Sequence, residues 1–404
     1  MASGRRTGGG GDDLPGDGAP SGPGGAARAA RLLQVGCFTS SFDRFSVAPL
    51  LVLIAADLDV PTSAAAQVAT AYFLTYGLMQ AVWAAVSDRL GRVRTLRLAF
   101  AVAGATGLAS AAAPSLGLLL VARALAGAAF AAAVPGALVY TGDTVPPHAR
   151  QSALADLMTG AALGMALSTA GAAAIGQYLH WRWAFGVAAL IALGLAWRLR
   201  VLPEPPRAVP TRFDRAVREV LRDRWAVLVL ALAFAEGMVL VGFVTYFPLT
   251  LQEGGLSTTA AGSAVTAFGI STMLFARLVK SLSRRTSAAR LSGIGAVCAV
   301  LAYGAAAADP ALPGVLAACL LLGAARAFLH STLQAWVTDV VPGQRATAVS
   351  LFSTLMFTGS AAATAVGAPY VDGGRFVAVY VLALALTVPL GVTATVGRAR
   401  YARR

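Results

Sequence analysis

Long apolar stretches separated by short polar breaks run through almost the whole chain. A transmembrane helix needs roughly 20 predominantly apolar residues, and the sequence divides into twelve stretches of about that length. The predicted helices cover residues 31–56, 64–86, 95–113, 116–139, 152–176, 183–199, 225–250, 258–279, 288–308, 312–337, 346–368 and 375–397. The pattern therefore predicts an all-α membrane protein with twelve transmembrane helices.

Two long polar segments set the domain organisation. Residues 1–28 are rich in Gly, Pro and Asp, which predicts a disordered cytosolic tail. Residues 201–224 begin with prolines and continue with Arg, Asp and Glu, which predicts a cytosolic linker. The linker separates two predicted six-helix bundles, residues 29–200 and residues 225–398, and residues 399–404 form a second short tail.

A weak internal repeat relates the two predicted bundles. Positions 196 residues apart agree in residue type and in order at the end of the fourth helix of the first bundle and of its counterpart in the second. The matching pairs are Gly127 and Gly323, Asp143 and Asp339, Val145 and Val341, and Pro146 and Pro342. Two pseudo-symmetric halves are therefore predicted, an arrangement that places a substrate site between the halves near the middle of the bilayer.

Composition supports a membrane protein and fixes its predicted orientation. Hydrophobic residues make up 57% of the chain and charged residues only 12%, outside the range of ordinary soluble domains. The net charge of +14 comes from arginines that flank the predicted helices, so we expect no nucleic-acid partner. If both termini are cytoplasmic, only Arg182 and Arg375 lie outside, as the positive-inside rule requires. We expect a monomeric, multi-pass plasma-membrane protein.

Enzymatic and metal chemistry have no sequence support. Cys37, Cys298 and Cys319 fall within predicted helices without paired spacing or histidine neighbours, which predicts neither disulfides nor a metal site. No nucleophile elbow, phosphate-binding loop or zinc-binding motif occurs in the sequence. We therefore predict no cofactor and no catalytic residues. The sequence favours a transporter over a membrane-embedded enzyme or a receptor.

The loop after the second predicted helix carries the strongest motif. An apolar run ends there in Asp-Arg-Leu-Gly-Arg-Val-Arg, with Asp88, Arg89, Gly91, Arg92 and Arg94 as its key residues. This loop resembles the loop between helices 2 and 3 of the major facilitator superfamily. The family pattern has a leading Gly and a further basic residue, where this chain has Ala84 and Val93.

Two shorter matches extend the resemblance to about residues 30–398. Arg123 and Gly127 resemble the Arg-x-x-x-Gly of helix 4, which the family associates with proton movement. Trp181-Arg182-Trp183 resembles the outer loop after helix 5. Helix 5 itself lacks the proline of the family's antiporter signature, which leaves the direction of transport open.

The resemblance implies roles for the loop and for the helices. Helices 1, 4, 7 and 10 would line a central cavity. Asp88 would cap helix 11 across the interface between the halves, and Arg92 would pair with Asp143 at the end of helix 4. Both contacts would stabilise the outward-open state and would break when the cytosolic side opens.

Few ionisable residues lie inside the predicted helices, and each one there costs a few kcal/mol and needs a reason. The candidates for proton coupling or cavity lining are Asp43, Arg44, Arg123, Glu236, Arg326, His330 and Gln334, all on helices 1, 4, 7 and 10. Asp43 and Glu236 are candidates for groups that exchange protons, with a fixed Asp43–Arg123 ion pair as the alternative. Arg326 fits an anionic substrate or a counter-ion for Glu236 equally well.

The function implied is secondary active transport. Proton-coupled export of small organic compounds, drug-like molecules or metabolites, by alternating access comes first. Proton symport that imports an organic acid or a sugar is the alternative, with Arg326 or Arg44 binding the anion, and lipid flipping is a variant. The expected partners are a small-molecule substrate, protons and the lipid bilayer.

Overall fold

The computed structural model describes residues 23–206 and 213–403, and these ranges form helices without any strand. Twelve long helices cross the molecule. They are α1 (Gly25–Asp57), α2 (Thr62–Leu90), α3 (Arg92–Ala112), α4 (Leu116–Thr144), α5 (Pro147–Tyr178), α6 (Trp181–Val201), α7 (Arg224–Glu253), α8 (Thr258–Leu282), α9 (Ala288–Ala308), α10 (Leu312–Val340), α11 (Pro342–Tyr370) and α12 (Phe376–Tyr401). The predicted all-α membrane fold of twelve helices is confirmed.

Eleven of these helices are long and apolar enough to span a bilayer by composition alone, and α2 is the exception. At 29 residues, α2 would extend about 43 Å at the usual helical rise, so its length suffices. Its sequence carries tyrosines, threonines and glutamines because it packs against α4 and α11. Tyr72, Tyr76 and Gln80 are buried there. A helix that contacts protein on several faces does not need a fully apolar surface.

Helix boundaries extend further into the polar flanks than hydropathy predicts. Residues 25–28 belong to α1 and residues 399–401 belong to α12, so both predicted tails are shorter than expected. Backbone hydrogen bonds continue the helices, and arginine side chains keep their charged ends in water beyond the apolar segment. The remainder of the first tail, residues 1–22, lies outside the described residues, as do linker residues 207–212 and Arg404.

Short connections join most successive helices, so neighbours run antiparallel. One face of the molecule, here called the basic side, carries the start of α1, the end of α12, the loop between α2 and α3, and the linker. The other face, here called the opposite side, carries the loops after α1, α3, α5, α7, α9 and α11. An even number of helices places the first and last helix ends together on the basic side.

Equivalent contacts in the two halves establish the pseudo-symmetry. The Thr75 hydroxyl in α2 donates to the Ala124 carbonyl of α4 at 2.6 Å, and the Ser271 hydroxyl in α8 donates to the Leu320 carbonyl of α10 at 2.5 Å. Both residues of the second contact lie 196 positions after those of the first, which is the offset of the sequence repeat. The two six-helix bundles are therefore packed in the same way.

The repeated glycines explain how α2 and α4, and α8 and α10, approach so closely. A Cβ on Gly127 would lie 2.5 Å from the carbonyl oxygen of Tyr72, and a Cβ on Gly323 would lie 2.6 Å from that of Phe268. Small residues at helix crossings permit this approach in membrane proteins, where packing drives association.

Four helices are interrupted near their middles, and they are the first helices of the four triplets. The interruptions are a 3₁₀ turn at Ala48–Leu50 in α1, a break after Phe130 in α4, a π turn at Met238–Gly242 in α7, and a π turn at Arg326–His330 in α10. Such turns free backbone groups and redirect side chains, and they concentrate at functional sites. Apolar periodicity did not predict them.

The halves meet between the membrane middle and the opposite side. The hydrogen bonds that join them among the described residues are Ser63–Asp372, Thr70–Thr364, Thr169–Thr266, Gln177–Thr259 and Gln252–Pro49. On the basic side, residues 23–206 and the second bundle share no such bond within the described chain. The structure is therefore closed at the opposite side, with the halves apart towards the basic side.

Residues 213–222 of the linker form a short helix, Phe213–Arg222, attached to the second bundle. Glu219 of this helix accepts a hydrogen bond of 2.8 Å from the Gln344 side chain of α11 and pairs with Arg215 at 3.1 Å. The hydrogen bond from Gln344 and then that from Arg215 lower the pKa of the Glu219 carboxyl. The linker helix therefore stays with the start of α11.

We predict that Gly127→Ala and Gly323→Ala each destabilise the protein by about 1–3 kcal/mol, because the added methyl overpacks a helix crossing. Gly304→Ala in α9 is the matched control, because a Cβ there meets nothing within 4 Å. Thermal unfolding of the detergent-solubilised proteins, followed by intrinsic fluorescence, measures the effect. Equal midpoints for all three variants would contradict the assigned close approach.

Candidate functional site

A cavity lies between the two bundles near the middle of the molecule. It is lined by Arg44, Phe45, Val47 and Ala48 of α1, Ala69 and Phe73 of α2, Met165 and Thr169 of α5, Leu240, Val241, Val244 and Thr245 of α7, and Val265, Phe268 and Gly269 of α8. Arg44 is the charged residue in this lining. The expected lining by α1 and α7 is present, whereas α2, α5 and α8 stand in this cavity wall where α4 and α10 were expected.

Asp43 and Arg123 form an ion pair at the centre of the first bundle. The two guanidinium nitrogens Nη1 and Nη2 each donate to one carboxylate oxygen at 2.9 Å, and both side chains are almost completely buried. The guanidinium is also sandwiched between the rings of Tyr72 and Phe185, at 4.6 and 4.3 Å from their centroids. This bidentate, aromatic-flanked geometry matches the fixed ion pair that the sequence left open as the alternative for Asp43.

Glu236 and His330 form the corresponding polar pair in the second bundle. Glu236 Oε1 lies 2.9 Å from His330 Nδ1, while its second oxygen, Oε2, is buried without a hydrogen-bond partner. The His330 side chain is 20% exposed, and the Phe352 ring of α11 lies 5.8 Å away. A fully buried carboxylate therefore contacts a histidine that solvent can reach.

The two π turns place this pair. Glu236 lies two residues before the π turn of α7 begins at Met238, and His330 closes the π turn of α10. Gln334 follows His330 by one turn towards the basic side and is exposed. The face of α10 that carries these residues thus runs from the pair towards the separated ends of the two halves.

Arg44 lines the cavity, Arg326 begins the π turn of α10, and neither is paired with an acid among the described residues. Arg44 donates to the Ser41 hydroxyl at 3.1 Å, and its guanidinium carbon lies 4.8 Å from the Tyr76 ring centroid and 5.0 Å from that of Phe357. Arg326 interacts electrostatically with both Glu236 and Arg44, yet its Nη1 is buried without a partner. The expected Arg326–Glu236 counter-ion contact is not a direct ion pair here, and His330 contacts one of the two carboxylate oxygens instead.

The loop motif between α2 and α3 is assembled within the first bundle. Arg92 contacts Asp143 of α4 at 3.2 Å, as the sequence predicted, and also contacts Asp88 at 2.6 Å. Asp88 therefore pairs with Arg92 and does not cap α11, so that expectation does not hold for this structure. The physical reason is that the halves are apart on the basic side. Arg89 and Arg94 are exposed.

Glu204, which the sequence analysis missed, completes this loop. Its carboxylate accepts hydrogen bonds from the backbone N–H groups of Val93 at 3.0 Å and Arg94 at 3.2 Å, at the start of α3. Gly91 adopts φ of 103° and ψ of 160°, a conformation essentially restricted to glycine. A Cβ there would lie 2.6 Å from Glu204 Oε1, so the glycine also makes room for this cap. The only sequence signal was an isolated acid three residues after α6.

The fold agrees with comparisons to known proteins. The sequence model of the Major Facilitator Superfamily matches residues 33–396, so the chain belongs to that family. It is a membrane transporter and not an enzyme. A Spinster homologue from bacteria, solved in an inward-facing and unoccupied conformation, has a TM-score of 0.77 at 18% identity and covers 93% of this chain and 98% of its own.

Three relatives share moderate identity with the chain. The MFS-type transporter YfhI of Bacillus subtilis is 26% identical and covers 67% of this chain and 70% of the relative. The chloramphenicol resistance protein of Streptomyces lividans is 27% identical, and the match covers 65% of this chain and 69% of the relative. The 3-(3-hydroxy-phenyl)propionate transporter of Escherichia coli is 26% identical, and the match covers 70% of this chain and 67% of the relative.

We predict that Asp43→Asn and Arg123→Gln each destabilise the protein by about 3–5 kcal/mol, because each leaves a buried charge unpaired. The double variant removes both charges and should recover much of that loss. Thermal unfolding midpoints measure the three variants, with Glu253→Gln, an exposed acid at the end of α7, as the control. Additive losses in the double variant would contradict direct pairing.

We predict that Glu204→Ala lowers the free energy of unfolding by about 0.5–2 kcal/mol, the usual range for losing a helix N-terminal cap. Glu253→Ala is a control of equal charge change at an exposed acid. The readout is again the thermal midpoint of the solubilised protein. A midpoint unchanged by Glu204→Ala would show that the cap does not stabilise the protein.

Proposed function

We propose that this protein is a proton-coupled secondary transporter that exports small organic compounds across the plasma membrane by alternating access. The basic side, with both ends of the helical region, is assigned to the cytoplasm, because positively charged loops are retained there. In that orientation the described conformation faces inward, closed towards the exterior. Transport then requires the halves to separate on the opposite side and to meet on the basic side.

The interface between the halves suits such a reversible movement. Its hydrogen bonds join hydroxyl, amide and backbone groups, apart from the contact between Ser63 and the carboxylate of Asp372. Neutral hydrogen bonds contribute only about 0.5–1.5 kcal/mol each when water can replace them. A few such contacts hold one state without making the other inaccessible.

The observation that carries proton coupling is the Glu236–His330 pair. Glu236 is fully buried and has one unpartnered oxygen, and His330 connects it to solvent. A proton that arrives at the imidazole can therefore move to the carboxylate without crossing an apolar barrier. Asp43 is a weaker candidate, because both of its oxygens are occupied by Arg123 in a closed site.

The cavity wall supports an organic substrate. Phenylalanine, leucine and valine side chains dominate its lining, with hydroxyls at Thr169 and Thr245. Such a wall binds the apolar body of an amphiphile and imposes little shape selectivity. Export is favoured by the relative that is named for chloramphenicol resistance.

Proton symport of an organic acid or a sugar is the second candidate. The unpaired Arg44 and Arg326 favour an acid, since a substrate carboxylate would supply the partner they lack. The relative named as a 3-(3-hydroxy-phenyl)propionate transporter is consistent with this alternative.

We predict that Glu236→Gln abolishes proton-driven flux while leaving substrate exchange intact. A carboxamide cannot carry the proton, but the halves can still alternate with substrate bound on both sides. His330→Gln should slow proton-driven flux by about 100-fold, the lower end of the range for a proton-transfer group. Everted vesicles that contain either the wild-type protein or a variant, loaded with a panel of labelled drugs and carboxylic acids, provide both measurements.

The same everted vesicles measure the direction of transport. An imposed proton gradient, acidic inside, should drive compounds into everted vesicles if the protein exports, and should drain them if it is a symporter. Glu253→Gln is the control for acid loss outside the site. Proton-driven flux that survives both Glu236→Gln and His330→Gln would refute the coupling assignment.

A further inference from the structure

Arg44 and Arg326 come from different halves, and neither has an acidic partner. Arg44 lies on α1 of the first bundle and lines the cavity, and Arg326 lies on α10 of the second. Within the described chain, no carboxylate oxygen lies within 4 Å of a side-chain nitrogen of either residue. One buried nitrogen of each, Arg44 Nε and Arg326 Nη1, has no hydrogen-bond partner. Arg326 interacts electrostatically with Arg44.

Aromatic rings fix the position of the Arg44 guanidinium. Its guanidinium lies over Tyr76 of α2 and Phe357 of α11, and it also lies 5.0 Å from the ring of Phe45. Ring faces orient a guanidinium without satisfying its hydrogen-bond donors. The donors on the edge of the group therefore remain available.

The charges at the centre of the molecule do not balance. Three guanidiniums, those of Arg44, Arg123 and Arg326, face two carboxylates, those of Asp43 and Glu236. With His330 neutral the net charge is therefore +1, and an added proton makes it +2. An uncompensated charge at bilayer depth is unfavourable, and a bound anion would remove the imbalance.

We propose that the substrate is an organic anion, a carboxylate or a group of similar charge, held between Arg44 and Arg326. Its apolar body would lie against the cavity wall at Phe73, Val244 and Phe268. This inference rests on the second candidate function, proton symport of an organic acid, and takes the cavity as the substrate site. Because the arginines belong to opposite halves, one anion contacts both bundles and helps to draw them together around it.

Anion and proton reinforce each other in this arrangement. The charged groups that interact with Glu236 are His330 and Arg326, both of α10, while α11 places the uncharged Phe352 and Ser360 near the pair. Protonation of the Glu236–His330 pair makes the site more positive and strengthens anion binding, and by linkage the anion favours protonation. The anion and the proton would then travel together, which is the coupling of the second candidate.

The test measures equilibrium binding of labelled benzoate, phenylacetate and hexanoate, each against its amide, to the purified protein in lipid nanodiscs. Between pH 6 and 8 these acids are ionised, since carboxyl groups titrate near about pH 4. At least one acid should bind, and its amide should bind at least about tenfold more weakly, as expected when a hydrogen bond to a charged group is lost. Acid binding should tighten as the pH falls.

Arg44→Gln and Arg326→Gln should each weaken binding of that acid at least about tenfold and reduce its advantage over the amide. Arg44→Lys and Arg326→Lys should recover part of the affinity, which separates anion binding from a structural role. Arg290→Gln, at an exposed arginine at the start of α9, is the matched control. Glu236→Gln should retain acid selectivity and lose its pH dependence.

Three results would overturn the proposal: no acid of the panel binds better than its amide, the glutamine variants keep the selectivity, or binding weakens as the pH falls. These results are distinct from failure of the proposed function. Selective acid binding without any proton-driven flux would refute the transport mechanism and leave the anion site standing. Flux of neutral compounds without acid selectivity would do the reverse.

Discussion

A charge in the middle of a bilayer must be paired or hydrated, and this constraint organises the interior of the protein. In the first bundle it joins Asp43 to Arg123, and in the second it joins Glu236 to His330. Each pair ties together the first and fourth helix of its bundle at the same level. Outside these pairs the helices pack through apolar side chains, small residues and uncharged hydrogen bonds such as that of Thr75, so the two pairs hold the central acids at fixed partners.

The two halves use this constraint differently. In the first bundle, Arg123 occupies both carboxylate oxygens of Asp43 and lies between two rings. The second bundle keeps an unpartnered carboxylate oxygen, an accessible imidazole and two π turns at the same place. The two halves therefore differ in how their central acids are paired, and the proposed proton coupling uses the acid of the second bundle.

Much of this architecture follows from the order of residues along the chain. Hydropathy predicted all twelve helices. The 196-residue repeat also relates the matched contacts of Thr75 and Ser271, which lie outside the residue pairs that define it. Charged residues inside apolar runs identified the polar centre, because such residues are rare there for energetic reasons. Helix ends were less well predicted, since arginine side chains and backbone hydrogen bonds carry helices past the apolar segment.

The sequence by itself determined that the chain crosses the membrane as paired helices, and which charges that crossing must accommodate, because both depend on transfer of side chains from water to lipid. Only the tertiary structure decided which charge pairs with which, since partners such as Asp43 and Arg123 lie 80 residues apart. It also decided that Asp88 turns to Arg92, that Glu204 caps α3, and that Arg44 and Arg326 remain without acids. Those outcomes depend on distances between helices, which no local pattern of residues encodes.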